Sequence, residues 1–263
     1  MTSKSKHREP RPSDKHTMFT PLEKSGFVPL YFQIQSQLTQ KIREGFMRAG
    51  EALPGEAELS RIFGVSRMTS RQALQGLKSE GLAVRERGRG TFVAEPKVEK
   101  DIATRMGFTA EMRALGKKAT AQELIRKTVP ADPQIAERLE LAPGALVFML
   151  RRLRFADGKP LAIEEAFLPL ERMPGIEQVD FSVNSLYETL QGRYNIRFGT
   201  VDEIIEARAA TKEEASALKV PTRSSLLVIS SSLRDEASRP IEVGQSLYRG
   251  DLYRAVLHFS AGS

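Results

Sequence analysis

Cysteine is absent from this 263-residue chain, which excludes disulfides, thiolate metal sites and thiol nucleophiles together. Histidine is scarce: there are three, His7, His16 and His258, and two of them fall in the N-terminal stretch. No metal centre and no histidine-based triad can be assembled from that set, so no catalytic residue, metal or cofactor is expected. Long apolar runs are missing as well. Nothing approaches the roughly 20 residues that a membrane-spanning helix needs, and the N-terminus lacks the apolar core of a signal peptide. The expectation is a soluble, cytoplasmic protein with no membrane partner.

What the chain does have is basic charge, placed unevenly. Lys and Arg number 40 against 33 Asp and Glu, a net of +7. Residues 1–26 carry six basic and three acidic side chains, residues 27–95 carry ten and seven, and the remainder 24 and 23. The excess sits in the N-terminal third, and a positive field favours a polyanionic partner. A length of 263 residues exceeds what one hydrophobic core usually organises, so two domains are expected.

Residues 1–26 are polar, hold three prolines and show no periodicity, which reads as a disordered basic tail. From Pro29 the pattern changes. Leu30, Ile34, Leu38 and Ile42 recur every four residues between Pro29 and Gly45, the spacing of a helix. A second helix is expected over Glu56 to Phe63, then a tight turn Gly64-Val65-Ser66, with Ser66 capping a third helix that Gly81 closes. Leu82 to Arg85 and Thr91 to Val93 then pair around Gly88-Arg89-Gly90. Two helices across a tight turn followed by a basic hairpin is the layout of a winged helix-turn-helix, which sets one helix in the major groove of DNA.

The charges agree. Between Leu59 and Ser79 stand Arg61, Arg67, Arg71 and Lys78 and no acidic residue, as a helix facing phosphates requires. Arg67 and Arg71 lie one turn apart near the start of the third helix, where a guanidinium can pair bidentately with guanine. Ser66 and Thr69 can bond phosphate or base. Arg85-Glu86-Arg87-Gly88-Arg89-Gly90 suits a minor groove or backbone, with glycines that permit close approach.

Four stretches carry a family resemblance: Pro29 to Ile34, Leu53 to Leu59, Phe63 to Thr69, and Gly88 to Val93. Over residues 28–94 the chain resembles the GntR family of bacterial transcription regulators. The resemblance implies a DNA-contacting set of Ser66, Arg67, Met68, Thr69 and Arg71 on the helix and Arg87, Gly88 and Arg89 in the wing. Three positions depart from the family pattern. Gly55 stands where a serine usually caps the second helix, Ala57 where many members carry a DNA-contacting arginine, and Ser70 where an apolar valine is usual.

Residues 95–106 read as a linker of alternating charge, and residues 107–263 as a second domain. There, strands are expected near Ala121 to Val129 and Thr200 to Ala207, and helices near Thr109 to Gly116 (capped by Thr109), Pro133 to Leu141, Ser185 to Gln191 and Lys212 to Leu218. Hairpins are expected over Leu146 to Leu168 and Leu226 to Leu247, with a last strand from Tyr253 to Phe259. An offset of 80 aligns Leu153-Arg154 with Leu233-Arg234, Pro160 with Pro240 and Ile163 with Val243. This is either an internal repeat enclosing a ligand cavity or a chance match of hairpin patterns.

Gly107 to Met112, Arg152 to Pro160, Glu164 with Leu168-Pro169, and Tyr248 to Tyr253 resemble the UTRA domain, which marks the HutC subfamily. The implied fold is α+β: an N-terminal winged helix-turn-helix, then a chorismate-lyase-like domain with a central antiparallel sheet and a small-molecule pocket. The chemistry of the residues agrees. Arg152 and Arg154 alternate along a strand and so share a face, where two guanidinium groups can clamp an anion. Glu164, on the partner strand, is a candidate acceptor for a ligand amine or hydroxyl, and the Thr109 helix offers N–H groups. The resemblance carries Thr109, Arg152, Arg154, Glu164 and Tyr248 over as effector contacts. A solvated strand face competes with the clamp for the two arginines, and a salt-bridged turn accounts for Arg249 and Asp251. Glu111, close to the proposed anion site, keeps a neutral or zwitterionic ligand open beside a phosphate.

The expectation is thus a homodimeric repressor on a palindromic double-stranded operator, switched by a small polar or anionic metabolite such as a sugar phosphate or amino-acid catabolite. Two rivals come from other classes: a chorismate-lyase-like enzyme pocket fused to a DNA reader, and a constitutive DNA-binding protein whose second domain only dimerises.

Overall fold

The computed structural model describes residues 18–86, 88–101 and 107–256, and the chain divides into two compact units between Pro96 and Lys97. In the first, α1 (Leu30–Arg43), α2 (Glu56–Phe63) and α3 (Arg67–Ser79) enclose a core of Ile34, Leu38, Leu59, Phe63, Ala73, Leu74 and Leu77. Ile34 and Leu38 are among the residues that the four-residue spacing selected, and Ile42 packs partly buried against the same core, because only one face of each helix can be buried in so small a unit. Gly64 ends α2 in a left-handed conformation (φ 61°), which turns the chain sharply into α3. The hairpin is β1 (Ala83–Glu86) against β2 (Gly90–Val93). Residues 50–53 lie along β2, with Leu53 N donating to Thr91 O at 2.8 Å, so the wing has a third edge that the sequence pattern did not reveal.

Two expectations about flanking segments need correction. The stretch expected to be unstructured through residue 26 is packed from its described start: Met18, Phe19 and Leu22 lie on the core, with the Phe19 and Phe63 rings 5.1 Å apart. Residues 1–17 lie outside the described residues. The stretch read as a linker contains β3 (Val98–Asp101), which pairs in parallel with β10 (Tyr253–Val256). Alternating charge hid this strand, since an edge strand can be polar on both faces.

The second unit begins with α4 (Phe108–Ala114), β4 (Ala119–Pro130), α5 (Pro133–Leu139), β5 (Leu146–Ala156) and β6 (Lys159–Pro169). It then repeats the series as α6 (Leu186–Tyr194), β7 (Phe198–Ala209), α7 (Lys212–Leu218), β8 (Ser225–Asp235) and β9 (Pro240–Arg249). The six strands form one antiparallel sheet in the order β4-β5-β6-β9-β8-β7, so the two copies meet at β6 and β9. On one face α5 and α7 cover the sheet through Leu139, Val147 and Val243 and through Leu153, Leu218 and Val228. The other face meets α4 and α6 through Phe108, Met112, Leu186 and Leu190.

The internal duplication is therefore real, but its register differs from the expected offset. Asp132 and Thr211 cap α5 and α7, Glu140 and Lys219 end them with the same left-handed φ of 54°, and each pair is 79 positions apart. The β-bulges at Arg154/Phe155 and Leu233/Arg234 obey the same spacing. Ala156 and Lys159 close the first hairpin across two residues, whereas Asp235 and Arg239 close the second across three. That extra residue makes the offset 79 before the turn and 80 after it. Arg154 corresponds to Leu233, not Arg234, and a slip of one residue in a strand moves a side chain to the opposite face.

Candidate DNA interface and effector pocket

In the first unit, α3 starts as its sequence predicts. Ser66 accepts a hydrogen bond from the Thr69 backbone N–H at 3.1 Å, and the two hydroxyls lie 2.9 Å apart. Thr69 is therefore tied to the cap, while Arg67, Met68 and Arg71 are exposed on the first turns, Met68 at 70%. Gln72, Gln75 and Lys78 continue the exposed side of the helix. The two glutamines were missed in the sequence because charge alone was followed, although Gln can pair bidentately with adenine. In the wing, Gly88 and Arg89 are exposed; Arg89 is ion-paired with Glu86 and lies over the Phe92 ring at 5.4 Å. Arg87 lies outside the described residues.

The three departures from the family pattern have visible outcomes. Gly55 leaves α2 without a side-chain cap, and Ala57 is exposed. Ser70 is fully buried under α3 and donates a long hydrogen bond, 3.4 Å, to Ser66 O. The hydroxyl keeps a partner, so the polar side chain does not open the core.

In the second unit, a small cavity of about 70 Å³ opens between the sheet and the first turns of α4 and α6. The two helices meet closely there: a Cβ on Gly107 would lie 2.9 Å from the Tyr187 ring. Arg152 and Arg154 line the cavity and are each only 4% exposed, which rules out the solvated strand face. One oxygen of Glu164, Oε2, accepts from Arg154 at 2.7 Å and from Arg152 at 3.1 Å. Arg154 also donates to the Thr109 hydroxyl at 2.9 Å and stacks over Phe108, 4.3 Å from the ring centre. Burial first, then repulsion from Arg154, pushes Arg152 down to about 10, against attraction from Glu164 and Glu242. Arg152 still carries its charge at neutral pH. Arg152 Nε and Nη1 and Arg154 Nε are buried with no hydrogen-bond partner among the described residues.

Thr109 requires a correction. It does not cap its helix: Gly107 precedes α4, no side chain caps it, and Thr109 is the second residue of a seven-residue helix. Its hydroxyl serves Arg154 instead. Glu164, expected as a free acceptor, is engaged by both arginines. Tyr248 lines the pocket and is 3% exposed, its ring stacked 3.8 Å from that of Tyr253. Arg249 and Asp251 form the expected turn salt bridge, at 2.6 Å.

The structure also brings in residues that the sequence reading passed over: Glu242, Gly244 and Ser246 on β9, Ser231 on β8 and Tyr187 on α6. A signal for the first three was available. Stepping back from Tyr248 by twos along a strand gives Ser246, Gly244 and Glu242, all on one face.

A basic winged helix in one unit and a cavity lined by charged side chains in the other define a class, that of transcription regulators with a second domain. Comparison with known proteins specifies it further. Residues 30–93 match the bacterial regulatory proteins of the gntR family and residues 114–254 the UTRA domain. The chain is 32% identical over 235 residues to the HTH-type transcriptional repressor NagR of Bacillus subtilis (strain 168), spanning 89% of this chain and 96% of that protein. It is 32% identical over 222 residues to the Escherichia coli (strain K12) protein named "Probable fructoselysine utilization operon transcriptional repressor", spanning 84% and 91%. The crystal structure of PhnF from Mycobacterium smegmatis superposes with a TM-score of 0.63 at 29% identity, over 87% of this chain and all of that one. The chain belongs to the GntR family and is a DNA-binding transcriptional regulator with a UTRA domain, not an enzyme. Among the described residues, no helix is long and apolar enough to cross a membrane.

Proposed function

We propose that this regulator is a homodimeric repressor of the HutC subfamily that acts in the cytoplasm and is switched by a small anionic metabolite held at Arg152 and Arg154. The observation that carries the reading is the set of three buried guanidinium nitrogens without a partner among the described residues, on two arginines that line the cavity. A buried donor left unsatisfied costs roughly 1–3 kcal/mol, so a ligand oxygen that fills the position recovers that cost. A domain that served only to dimerise would have no need of such a pair. Thr109 and Tyr248 complete the effector wall, and Ser66, Arg67, Met68, Thr69, Arg71, Arg87, Gly88 and Arg89 form the operator contacts. Two relatives carry "repressor" in their names, which supports repression over activation.

Palindromic half-sites about one helical turn apart would match the two-fold symmetry of a dimer. A ligand shifts operator affinity only if it binds the two conformations unequally. The test is a titration of the purified protein on the DNA upstream of its own gene, with and without sugar phosphates and amino-acid catabolites. The expected result is release of DNA by one ligand, abolished by Arg152→Ala. Unchanged operator affinity under every ligand that stabilises the protein would overturn the switch.

A further inference from the structure

The two edges of the six-stranded sheet are counterparts in the duplication but are not protected alike. β4 and β7 form these edges, with Ala119 matching Phe198 and Pro130 matching Ala209 at the offset of 79. The edge at β4 is closed to further pairing. Its register slips between Glu123 and Ile125, Glu123 accepts from the Phe181 backbone N–H at 2.6 Å, and Arg126 donates to Val179 O at 2.9 Å. A bulge and a covering segment are means by which an edge strand avoids a partner. β7, by contrast, runs against β8 from Val201 to Ala209 without a register break, and every residue from Ile204 to Ala209 is exposed. Ile204, 65% exposed, and Ile205, 38%, stand on opposite faces of this strand. A long, regular edge with apolar side chains on both faces is a template for another strand.

We propose that this other strand is β7 of a second copy of the chain, paired antiparallel about a two-fold axis at Ile205, so that two six-stranded sheets become one. The inference rests on the reading of the regulator as a homodimer and adds where the second units join and in what register.

Charge selects the register. A two-fold axis through an antiparallel strand pair sets one residue opposite its own copy. Centred on Ile205, the axis sets Asp202 opposite the partner's Arg208 and Arg208 opposite the partner's Asp202, two pairs of opposite charge. Centred on Ile204, it sets Asp202 against the partner's Glu206 twice; centred on Glu203 or Glu206, it makes two glutamates meet. An axis at Ala207 also joins opposite charges, but it leaves Val201 to Ile204 beyond the end of the facing strand. The Ile205 register keeps Val201 to Ala209 paired throughout and stacks one Ile205 on the other. Arg208 can take part, because it is bonded to Glu214 through Nη1 and Nη2 while its side chain stays 40% exposed. Glu203 lines the cavity and in this register faces the partner's Ala207, so the interface runs beside the cavity wall.

The absence of cysteine makes the test direct, since a single introduced thiol can only meet its own copy. In the full chain, Ile205→Cys sets two thiols on directly opposite residues, with Cα atoms about 4.5–5.5 Å apart, within reach of a disulfide. Mild oxidation with copper phenanthroline should cross-link it as a dimer. Ala209→Cys, also exposed, sets its thiols roughly 27 Å apart along the two strands and should stay uncross-linked. Asp202→Arg turns both attractive pairs into repulsive ones and should weaken self-association by about tenfold or more in sedimentation equilibrium. If that variant does not fold, the two cysteine variants decide. A dimer in which Ile205→Cys cross-links no faster than Ala209→Cys, or which Asp202→Arg leaves intact, overturns the β7 interface while the homodimer stands on another surface. A wild-type chain that sediments as a monomer at every concentration overturns both.

Discussion

Tyr253 donates its phenol hydrogen to Glu111 at 3.2 Å, joining β10 to α4 across 142 positions of sequence. Burial first, then the neighbouring Tyr248 and Glu111, push the Tyr253 phenol far above its ordinary range, so at any working pH it acts as a donor. Because β10 pairs with β3, directly after the division between the units, this bond anchors the first strand of the effector unit to a helix of its own pocket.

Tyr253→Phe keeps the ring on Tyr248 but leaves the buried Glu111 without this donor. A loss of roughly 1–3 kcal/mol in urea unfolding of the second unit is expected. No change in stability would mean that Glu111 is fully served by its other contacts.

The two pocket arginines should differ in what they contribute without ligand. Arg154 bonds both Glu164 and Thr109, whereas Arg152 makes one such bond and has two nitrogens without a partner among the described residues. Arg154→Met should cost roughly 3 kcal/mol, since it strips a part-buried carboxylate of its shorter bond, while Arg152→Met should be neutral to within about 1 kcal/mol. Both should abolish anion binding. Equal destabilisation by the two, measured by chemical denaturation, would contradict this ranking.

Acid sensitivity should concentrate at the start of α7. Glu214 closes a capping box with Thr211 and is bonded by Arg208 at 2.7 Å, and this arginine, ahead of the backbone bond from Thr211, lowers the carboxyl from 4.5 to about 2. A depressed acid pKa means that the carboxylate stabilises the fold above pH 4.5 and that this contribution is lost as pH falls toward 2. Glu214→Gln should be about 1 kcal/mol less stable at neutral pH, because Arg208 is partly exposed, with the difference from wild type vanishing in acid. A constant difference across a pH series of thermal unfolding would place the effect elsewhere.

On DNA, Arg71→Ala should relax base preference as well as weaken binding, by about 1–3 kcal/mol at the contacted base. Loss of affinity that is uniform over all sequences, with a salt slope lower by about one, would make Arg71 a phosphate contact only. Glu86→Ala releases Arg89 from its ion pair and should raise salt-sensitive, sequence-independent affinity. Mobility-shift titrations on operator and scrambled duplexes at two salt concentrations read both effects.

The winged helix was legible from the chain alone because everything that specifies it is local. Helical spacing of Ile34 and Leu38, the Ser66 cap, the turn at Gly64 and the basic hairpin each act over a few residues. The common face of Arg152 and Arg154 followed likewise from the two-residue period of a strand. Which groups those arginines meet was a different matter. Thr109 stands 45 positions from Arg154, and Glu242 reaches the pocket from the second copy of the repeat. One additional residue in a turn shifted the true correspondence between the copies by a position, and no local pattern records such a shift. The sequence by itself determined that two guanidinium groups share a face and that a DNA reader precedes them. Only the tertiary structure decided that one glutamate holds both and that three of their nitrogens find no partner among the described residues, because pairing across strands and burial depend on distances that the order of residues does not contain.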